Sequence, residues 1–246
     1  MYLETQNIKK SYDGKTVIEN ISIKLEKGEL VCLLGISGSG KTTLFNIISG
    51  LESPDGDGKV LLKGEDITGN PGKISYMLQK DLLLPYYTVL DNVSLPLVIK
   101  KGMKKKEARE EAKKYFSVFG IEGTEEKYPA ALSGGMKQRA ALLRTYLSSD
   151  EVALLDEPFS ALDTITKGAV HSWYLDIMEK IKLTTLFVTH DIDEAILLSD
   201  RIYIMGSSPG KIIKEIVISE PKPRRNDFTL TEKFLEYKKE IVRALM

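Results

Sequence analysis

Short apolar runs alternate along the chain with segments in which apolar residues recur every three or four positions. The clearest runs are residues 29–34, 152–155 and 185–188. Each has the length of a buried strand and precedes, after a loop, a segment of helical periodicity. Near the N-terminus, residues 2–10 and 16–25 alternate apolar and polar positions around Asp13-Gly14, which predicts an antiparallel pair with a turn. The pattern therefore predicts an α/β fold with a mostly parallel sheet and an N-terminal antiparallel β part.

Helical periodicity predicts four longer helices, at residues 100–119, 132–147, 167–182 and 229–244. Residues 82–90 are unusually apolar for a segment that contains Pro85 and follows a polar Gln-Lys-Asp. They are either core or an exposed patch that receives a partner, and the pattern favours neither.

Composition limits the classes of function. The chain has 246 residues, and Lys+Arg and Asp+Glu both number 35, so the net charge of zero argues against a broad nucleic-acid footprint. The single cysteine, Cys32, excludes an intrachain disulfide and fits a reducing cytosol. Neither a signal-peptide pattern nor an apolar window of membrane-spanning length is present, so we expect that the chain does not span a membrane.

The strongest chemical signal follows the strand predicted at residues 29–34. The segment Gly35-Ile-Ser-Gly-Ser-Gly-Lys41-Thr42-Thr43 matches G-x-x-x-x-G-K-[ST] and leads into a predicted helix. Its glycines let successive N–H groups face one anion, Lys41 reaches the β- and γ-phosphates, and the Thr42 hydroxyl is placed to bind Mg²⁺. This segment predicts the phosphate loop of a P-loop NTPase core. The expected nucleotide-binding residues are Gly35, Ser37, Gly38, Ser39, Gly40, Lys41, Thr42 and Thr43.

Adjacent carboxylates close the strand predicted at residues 152–155. Because Asp156 and Glu157 are neighbours, their side chains point in different directions and can take different roles. Asp156 is expected to hold Mg²⁺, and Glu157 to polarise a water for in-line attack on the γ-phosphate. Gln79 ends another predicted strand, at the sheet edge where ligands of α/β proteins bind.

A second helix start with anion-binding features lies at residues 132–135, Leu-Ser-Gly-Gly. Ser133 is a good N-cap, and Gly134 and Gly135 leave the first backbone N–H groups bare. One nucleotide needs only one such helix start, so the second is expected to belong to the site of a neighbouring subunit.

Taken together, these motifs resemble those of an ABC-transporter ATPase subunit. They are the phosphate loop, Gln79, Leu-Ser-Gly-Gly at residues 132–135, Asp156-Glu-Pro, Ser-Ala-Leu-Asp163 and Thr-His190-Asp, in that family's order and spacing. Residues 79–85, 91–93, 193–195 and 208–212 are similar to those of the nitrate/sulfonate/taurine importer group. The chain departs from the family pattern at Tyr86, where a tryptophan is common. The resemblance implies a nucleotide-binding domain at residues 1–215 with an inserted α-helical subdomain at about 85–148, and a C-terminal extension at 216–246 that ends in a helix.

The same resemblance implies a composite site in a homodimer, with ATP held between the phosphate loop of one subunit and Ser133–Gly135 of the other. Gln79 is implied to contact Mg²⁺ and the attacking water, His190 the γ-phosphate, and Asp163 the dimer interface. Tyr12 is implied to stack on adenine, although the residues alone leave a partly buried strand-end aromatic equally open. The other histidine, His171, is expected to be inert within a polar helix.

Further partners implied by the resemblance are two membrane-spanning permease subunits and, indirectly, an extracytoplasmic solute-binding protein, but no nucleic acid. The location implied is the cytoplasmic face of the membrane, and docking to a permease favours exposure of residues 82–90.

The main alternative is a soluble ABC ATPase that is not coupled to transport. Small GTPases and kinases fit poorly because Asn-Lys-x-Asp is missing and Leu-Ser-Gly-Gly would be unexplained. The solute stays open among nitrate, a sulfonate and a pyrimidine vitamin precursor.

Overall fold

The centre of the molecule is a six-stranded sheet. The computed structural model describes residues 1–149, 151–160, 164–207 and 209–246. Within them the strands are β1 (Leu3–Gln6), β2 (Ile8–Tyr12), β3 (Lys15–Ile21), β4 (Lys24–Leu25), β5 (Leu30–Gly35), β6 (Lys59–Leu62), β7 (Glu65–Asp66), β8 (Ser75–Met77), β9 (Val152–Asp156), β10 (Thr184–Thr189), β11 (Arg201–Met205) and β12 (Ile212–Val217). The helices are α1 (Lys41–Ile48), α2 (Val89–Lys101), α3 (Lys105–Lys113), α4 (Gly134–Ser148), α5 (Thr164–Ile181), α6 (Ile192–Leu198) and α7 (Glu232–Leu245).

Strand β5 is buried on both faces because helices cover both sides of the sheet. Its residues alternate between two apolar clusters: Leu30, Cys32 and Leu34 pack in one, Val31 and Leu33 in the other. The order of the strands in the central sheet is β12-β11-β5-β10-β9-β8. Strands β11, β5, β10, β9 and β8 run parallel, and β12 pairs antiparallel with β11 at the edge. The mostly parallel α/β sheet predicted from the sequence is confirmed.

The N-terminal antiparallel part is also confirmed, but its predicted strands are too long. Residues 2–10 form two strands, because Asn7 has a φ of 51° and breaks the extended backbone between β1 and β2. Strand β2 pairs with β3 around the turn, whereas β1 joins a separate sheet of order β4-β1-β6-β7. Residues 16–25 likewise divide between β3 and β4.

Helices α2, α3 and α4 lie between β8 and β9 in the chain. The helix predicted at residues 100–119 has the wrong limits: α2 ends at Lys101, Gly102 follows it with a left-handed φ of 65°, and α3 covers only Lys105–Lys113. Ser133 caps α4 through a hydrogen bond that its side chain accepts from the Met136 N–H.

The C-terminal segment is tied to the sheet and to α6. Strand β12 pairs with β11 and runs across the predicted boundary between residues 215 and 216. Farther on, the buried guanidinium of Arg224 donates to three carbonyls at the C-terminal end of α6, those of Ile196, Leu197 and Ser199. Helix α7 packs against α6, and Lys238 lies 2.6 Å from Asp193. None of the described helices is long and apolar enough to cross a membrane.

Candidate active site

The carboxyl ends of β5, β9 and β10 open onto a cleft of about 810 Å³. Its lining combines the loop after β5 with residues that follow β8, β9 and β10. The lining residues are Val17, Ile36, Ser37, Gly38, Gly40, Lys41, Thr42, Thr43, Gln79, Asp156, Glu157 and His190. Parallel strands present their carboxyl ends at one edge, so segments far apart in the sequence meet there.

The loop at the floor of the cleft needs glycine at two positions. A Cβ on Gly35 would lie 2.8 Å from the Met205 carbonyl oxygen, so only glycine allows the backbone to pass so close to β11. Gly40 has a φ of 96°, and a Cβ there would overlap Ile18. Gly40 is the N-cap of α1 and has no side chain, so no side-chain oxygen accepts from the first N–H groups of the helix. These N–H groups lie at the end of α1 that borders the cleft. The loop has the form of an anion cradle.

Lys41 is drawn back into this loop. Its Nζ donates to the carbonyl oxygens of Gly35 and Ile36, each at 2.8 Å. Burial lowers the pKa of the ammonium, while the carboxylates of Glu157 and Asp156 oppose that shift. The buried Ser39 hydroxyl has no hydrogen-bond partner within the described part of the chain.

Asp156 ends β9 in a largely buried position, 7% exposed. Burial raises the pKa of its carboxyl, and neighbouring Glu157 adds to the rise. A hydrogen bond from the Tyr76 hydroxyl, at 3.3 Å, and the nearby Lys41 oppose it. For both Lys41 and Asp156, the neighbouring protein groups offset only part of the free energy that burial of the charged side chain costs. Such pairs are typical of sites that bind charged ligands.

Glu157, the expected base, contacts both Gln79, which is expected to reach the attacking water, and His190, which is expected to reach the γ-phosphate. Its Oε2 accepts from Nε2 of Gln79 at 3.1 Å, and its Oε1 lies 3.2 Å from Nδ1 of His190. Its own backbone has a φ of 45°, and its N–H donates to the Val188 carbonyl oxygen at 3.0 Å. A left-handed glutamate is strained, and such strain is common at functional positions. Both carboxylate oxygens are thus oriented.

The structure does not bring every predicted site residue into the cleft. Tyr12 is 42% exposed and is not among the lining residues. The Tyr12 hydroxyl donates to a carboxylate oxygen of Glu52. Ser133 and Gly134 are exposed and line no part of this cleft. Asp163 lies outside the described residues.

All three predicted metal ligands, Thr42, Gln79 and Asp156, line the cleft. Among described residues, no group of three or more His, Cys, Asp or Glu side chains is arranged to hold a metal ion. These three residues offer a hydroxyl, an amide and a carboxylate, which suit Mg²⁺ when phosphate oxygens and water complete its shell.

Sequence reasoning missed Tyr76, which contacts Asp156 from the neighbouring strand. Its position inside a short strand that leads to Gln79 was the available signal. His171 also differs from expectation, because it is buried, 8% exposed, and not on a polar surface. Its Nε2 lies 3.3 Å from Oε1 of the buried Glu194.

Comparisons with known sequences agree with this geometry. The sequence profile described as ABC transporter matches residues 18–160. The formylaminopyrimidine import ATP-binding protein ThiZ of Halalkalibacterium halodurans is 48% identical, over 94% of this chain and 90% of that protein. The aliphatic sulfonates import ATP-binding protein SsuB of Bacillus cereus is 42% identical, over 92% and 87%. The nitrate import ATP-binding protein NrtD of Synechocystis is 37% identical, over 98% and 94%.

Among solved structures, a dimeric post-hydrolysis state of the ATP-binding cassette MJ0796 bound to ADP and Pi superposes with a TM-score of 0.75. It is 29% identical in sequence, and the match covers 89% of this chain and all of that one.

The electrostatics predict that Asp156 lowers the stability of the free protein. A carboxyl whose folded pKa is raised holds its proton more tightly when folded, so its ionisation at neutral pH destabilises the fold. Asp156→Asn should therefore raise Tm at pH 7 in EDTA without nucleotide. The gain should shrink as pH falls from the raised folded pKa towards the unfolded pKa of about 4, and it should be absent below that value. Thermal scans between pH 4 and 8 measure this.

Asp66→Asn is the control of opposite sign. Hydrogen bonds from Thr68 lower the pKa of Asp66, so its loss should reduce Tm at pH 7. An Asp156→Asn protein less stable than the wild type at pH 7 would contradict the assignment.

Proposed function

Because this chain belongs to the ABC transporter family and is an ATPase, we propose that it powers solute uptake as one of two identical subunits of a membrane importer. The observation that carries the proposal is the meeting of the phosphate loop, Asp156, and a Glu157 held by both Gln79 and His190 in one cleft. That set contains a group for each task in phosphoryl transfer to water.

The cleft fits ATP and Mg²⁺. Gly38 and Gly40 shape a cradle of N–H groups, Lys41 can turn from the loop carbonyls to phosphate oxygens, and the unpartnered Ser39 hydroxyl adds a polar atom. Thr42, Gln79 and Asp156 would hold Mg²⁺, and Tyr12 at the rim would stack on adenine. Bound Mg-ATP would supply the γ-phosphoryl electrophile with its charge offset by the metal.

Glu157 is proposed as the general base. Gln79 and His190 each engage one of its oxygens, so the carboxylate is oriented before it accepts a proton from the attacking water. With Nδ1 of His190 directed at Glu157, Nε2 is the ring nitrogen left to contact the γ-phosphate. Because the base and the water are oriented before they react, less entropy is lost on the way to the transition state.

The second half of each site is proposed to come from a partner subunit. Ser133 and Gly134 are exposed at the start of α4 and lie outside the cleft of their own chain. They are free to face the γ-phosphate side of another copy, and Asp163 is proposed to cross the same interface. The dimeric form of MJ0796 supports this arrangement.

Residues 81–88 form the surface proposed to dock the permease. The buried side-chain amide of Asn92 donates to the carbonyl oxygens of Leu84, Tyr87 and Thr88 and accepts from the Leu84 N–H. The Arg144 guanidinium donates to the carbonyl oxygens of Asp81 and Leu82. The segment is thus pinned from inside, with Leu83 buried in the core, while four of its apolar side chains face outward. Their exposed fractions are 51% for Leu82, 40% for Leu84, 90% for Tyr86 and 43% for Tyr87.

The proposed solute is a small molecule of the kind named for the relatives: a formylaminopyrimidine, an aliphatic sulfonate or nitrate. The formylaminopyrimidine importer subunit has the highest identity of the three, so a pyrimidine is the first solute to test. The subunit is proposed to sit at the cytoplasmic face, with a solute-binding protein on the other side of the membrane.

Glu157→Gln tests the catalytic assignment. The amide keeps the size of the side chain but cannot take a proton, so turnover should fall by about 10²–10⁴-fold while ATP binding survives. ATP with Mg²⁺ should then accumulate a long-lived dimer on a sizing column. Asp156→Asn, which removes a proposed metal ligand, should form no such dimer. Near-normal hydrolysis by Glu157→Gln would show that another group holds the water.

A mixture of two defective chains tests the composite site. Ser133→Arg should leave ATP binding to the monomer intact but stop turnover by blocking the partner's site. Combined with a Lys41→Ala chain, it forms mixed dimers in which one site carries both lesions and the other neither. ATPase activity should therefore reappear in the mixture. Mixed dimers without activity would exclude two independent composite sites.

Tyr86→Asp tests the docking surface. A charge in the centre of an apolar contact should abolish co-purification with the permease and solute-dependent ATPase activity, whereas ATP binding to the isolated subunit should not change. Leu230→Asp, at a side chain 86% exposed on the C-terminal segment, is the matched control. Intact coupling in Tyr86→Asp would favour another docking surface, and ATPase activity independent of any permease would favour the uncoupled ABC ATPase.

A further inference from the structure

Behind the cleft lies a group of buried side chains to which the proposed mechanism gives no role. Thr189, Glu194, His171 and Phe159 are 2%, 3%, 8% and 3% exposed. They belong to β10, α6, α5 and the segment after β9. Polar groups in such positions are costly to bury, so their placement calls for a reason.

The first part of the group surrounds the His190 turn. The Thr189 hydroxyl donates to Oε2 of Glu194 at 2.5 Å and accepts from the Asp191 N–H at 3.0 Å. Thr189 and Asp191 flank His190 on either side. One hydroxyl therefore closes the turn that carries His190 and fastens it to α6.

The second part reaches the Glu157 segment. Oε1 of Glu194 lies 3.3 Å from Nε2 of His171. The His171 ring packs edge-on against Phe159, with centroids 4.8 Å apart and an interplanar angle of 77°. Phe159 is two residues beyond Glu157. The buried group thus runs from one catalytic segment to the other.

We propose that Thr189, Glu194, His171 and Phe159 act as positioning residues that hold His190 against Glu157. The path closes into a ring, because Nδ1 of His190 lies 3.2 Å from Oε1 of Glu157 at the front of the site. The inference rests on the proposed roles of Glu157 and His190 in ATP hydrolysis. Its new content is that a buried path through α5 and α6 sets the geometry of that pair.

The geometry favours positioning over a purely structural role. Thr189 contacts one carboxylate oxygen of Glu194, and His171 lies beside the other. The orientation of the Glu194 carboxylate therefore links the His190 turn with the segment that follows Glu157. If residue 194 only filled space in the core, an apolar side chain would serve and no carboxylate would be needed. A displacement of about 1 Å in a catalytic group can cost about 10²-fold in rate, so small movements of the His190 turn are sufficient.

Thr189→Val and Thr189→Ser provide the test. Valine keeps the shape but removes the hydroxyl, so kcat should fall by about 10- to 100-fold with little change in ATP Kd. Serine retains the hydroxyl and should restore most of kcat. The control is Thr184→Val at the opposite end of β10, where a buried hydroxyl accepts from the Gly28 N–H at 2.8 Å. It should leave kcat unchanged.

Histidine NMR supplies a readout that does not depend on hydrolysis. The chain has two histidines, so ¹⁵N-histidine labelling gives two imidazole signals, which His171→Gln assigns. Thr189→Val and the milder Glu194→Gln should both shift the His190 ring nitrogens. Thr184→Val should not.

Wild-type kcat in a folded Thr189→Val protein would overturn the proposal, as would a rate loss with unmoved His190 signals. If Thr189→Val fails to fold, Glu194→Gln decides by the same two readouts. Near-normal turnover in Glu157→Gln would instead show that the proposed base is wrong, and the histidine spectra would still decide whether the path orients His190.

Discussion

Parallel pairing of β9 with β10 is the constraint on which the site depends. The register places Val188 opposite Asp156, so Glu157 and the Thr189-His190 pair leave the sheet side by side. The Glu157 N–H continues the pairing by donating to the Val188 carbonyl oxygen. A slip of one residue would exchange Phe187 with Leu186 and Val188 between the two apolar layers, and close-packed layers do not accept such a change of side-chain shape without strain. The contact between Glu157 and His190 is thus a consequence of core packing.

The same site opposes the stability of the fold. Lys41 and Asp156 are held where burial disfavours their charged forms, and Glu157 adopts a left-handed backbone. These costs are tolerable because two apolar layers, one on each face of the central sheet, surround the site with a large core. A charged phosphate group and a cation compensate such charges better than the protein does alone.

Helix α6 connects the site with the C-terminal segment. Its N-terminal end is capped by the Asp191 side chain, directly after His190. Its C-terminal carbonyls accept from the buried Arg224 guanidinium, and α7 packs along it. The segment from Arg224 onward therefore supports the helix that carries the His190 turn, which gives residues 216–246 a physical connection with the site.

Motifs that depend on a contiguous backbone could be predicted from the sequence alone. The phosphate loop, the acidic pair after β9 and the capped start of α4 are of this kind, because glycine conformations, helix caps and strand ends are local properties. The predicted strand and helix limits differ from the observed ones where one residue breaks the regular backbone, as Asn7 and Gly102 do with left-handed φ angles. Only the tertiary structure decided which distant side chains meet: Gln79 and His190 on Glu157, and His171 beside Glu194. Those contacts depend on strand order and register, which are set by packing across the whole core and not by any local pattern.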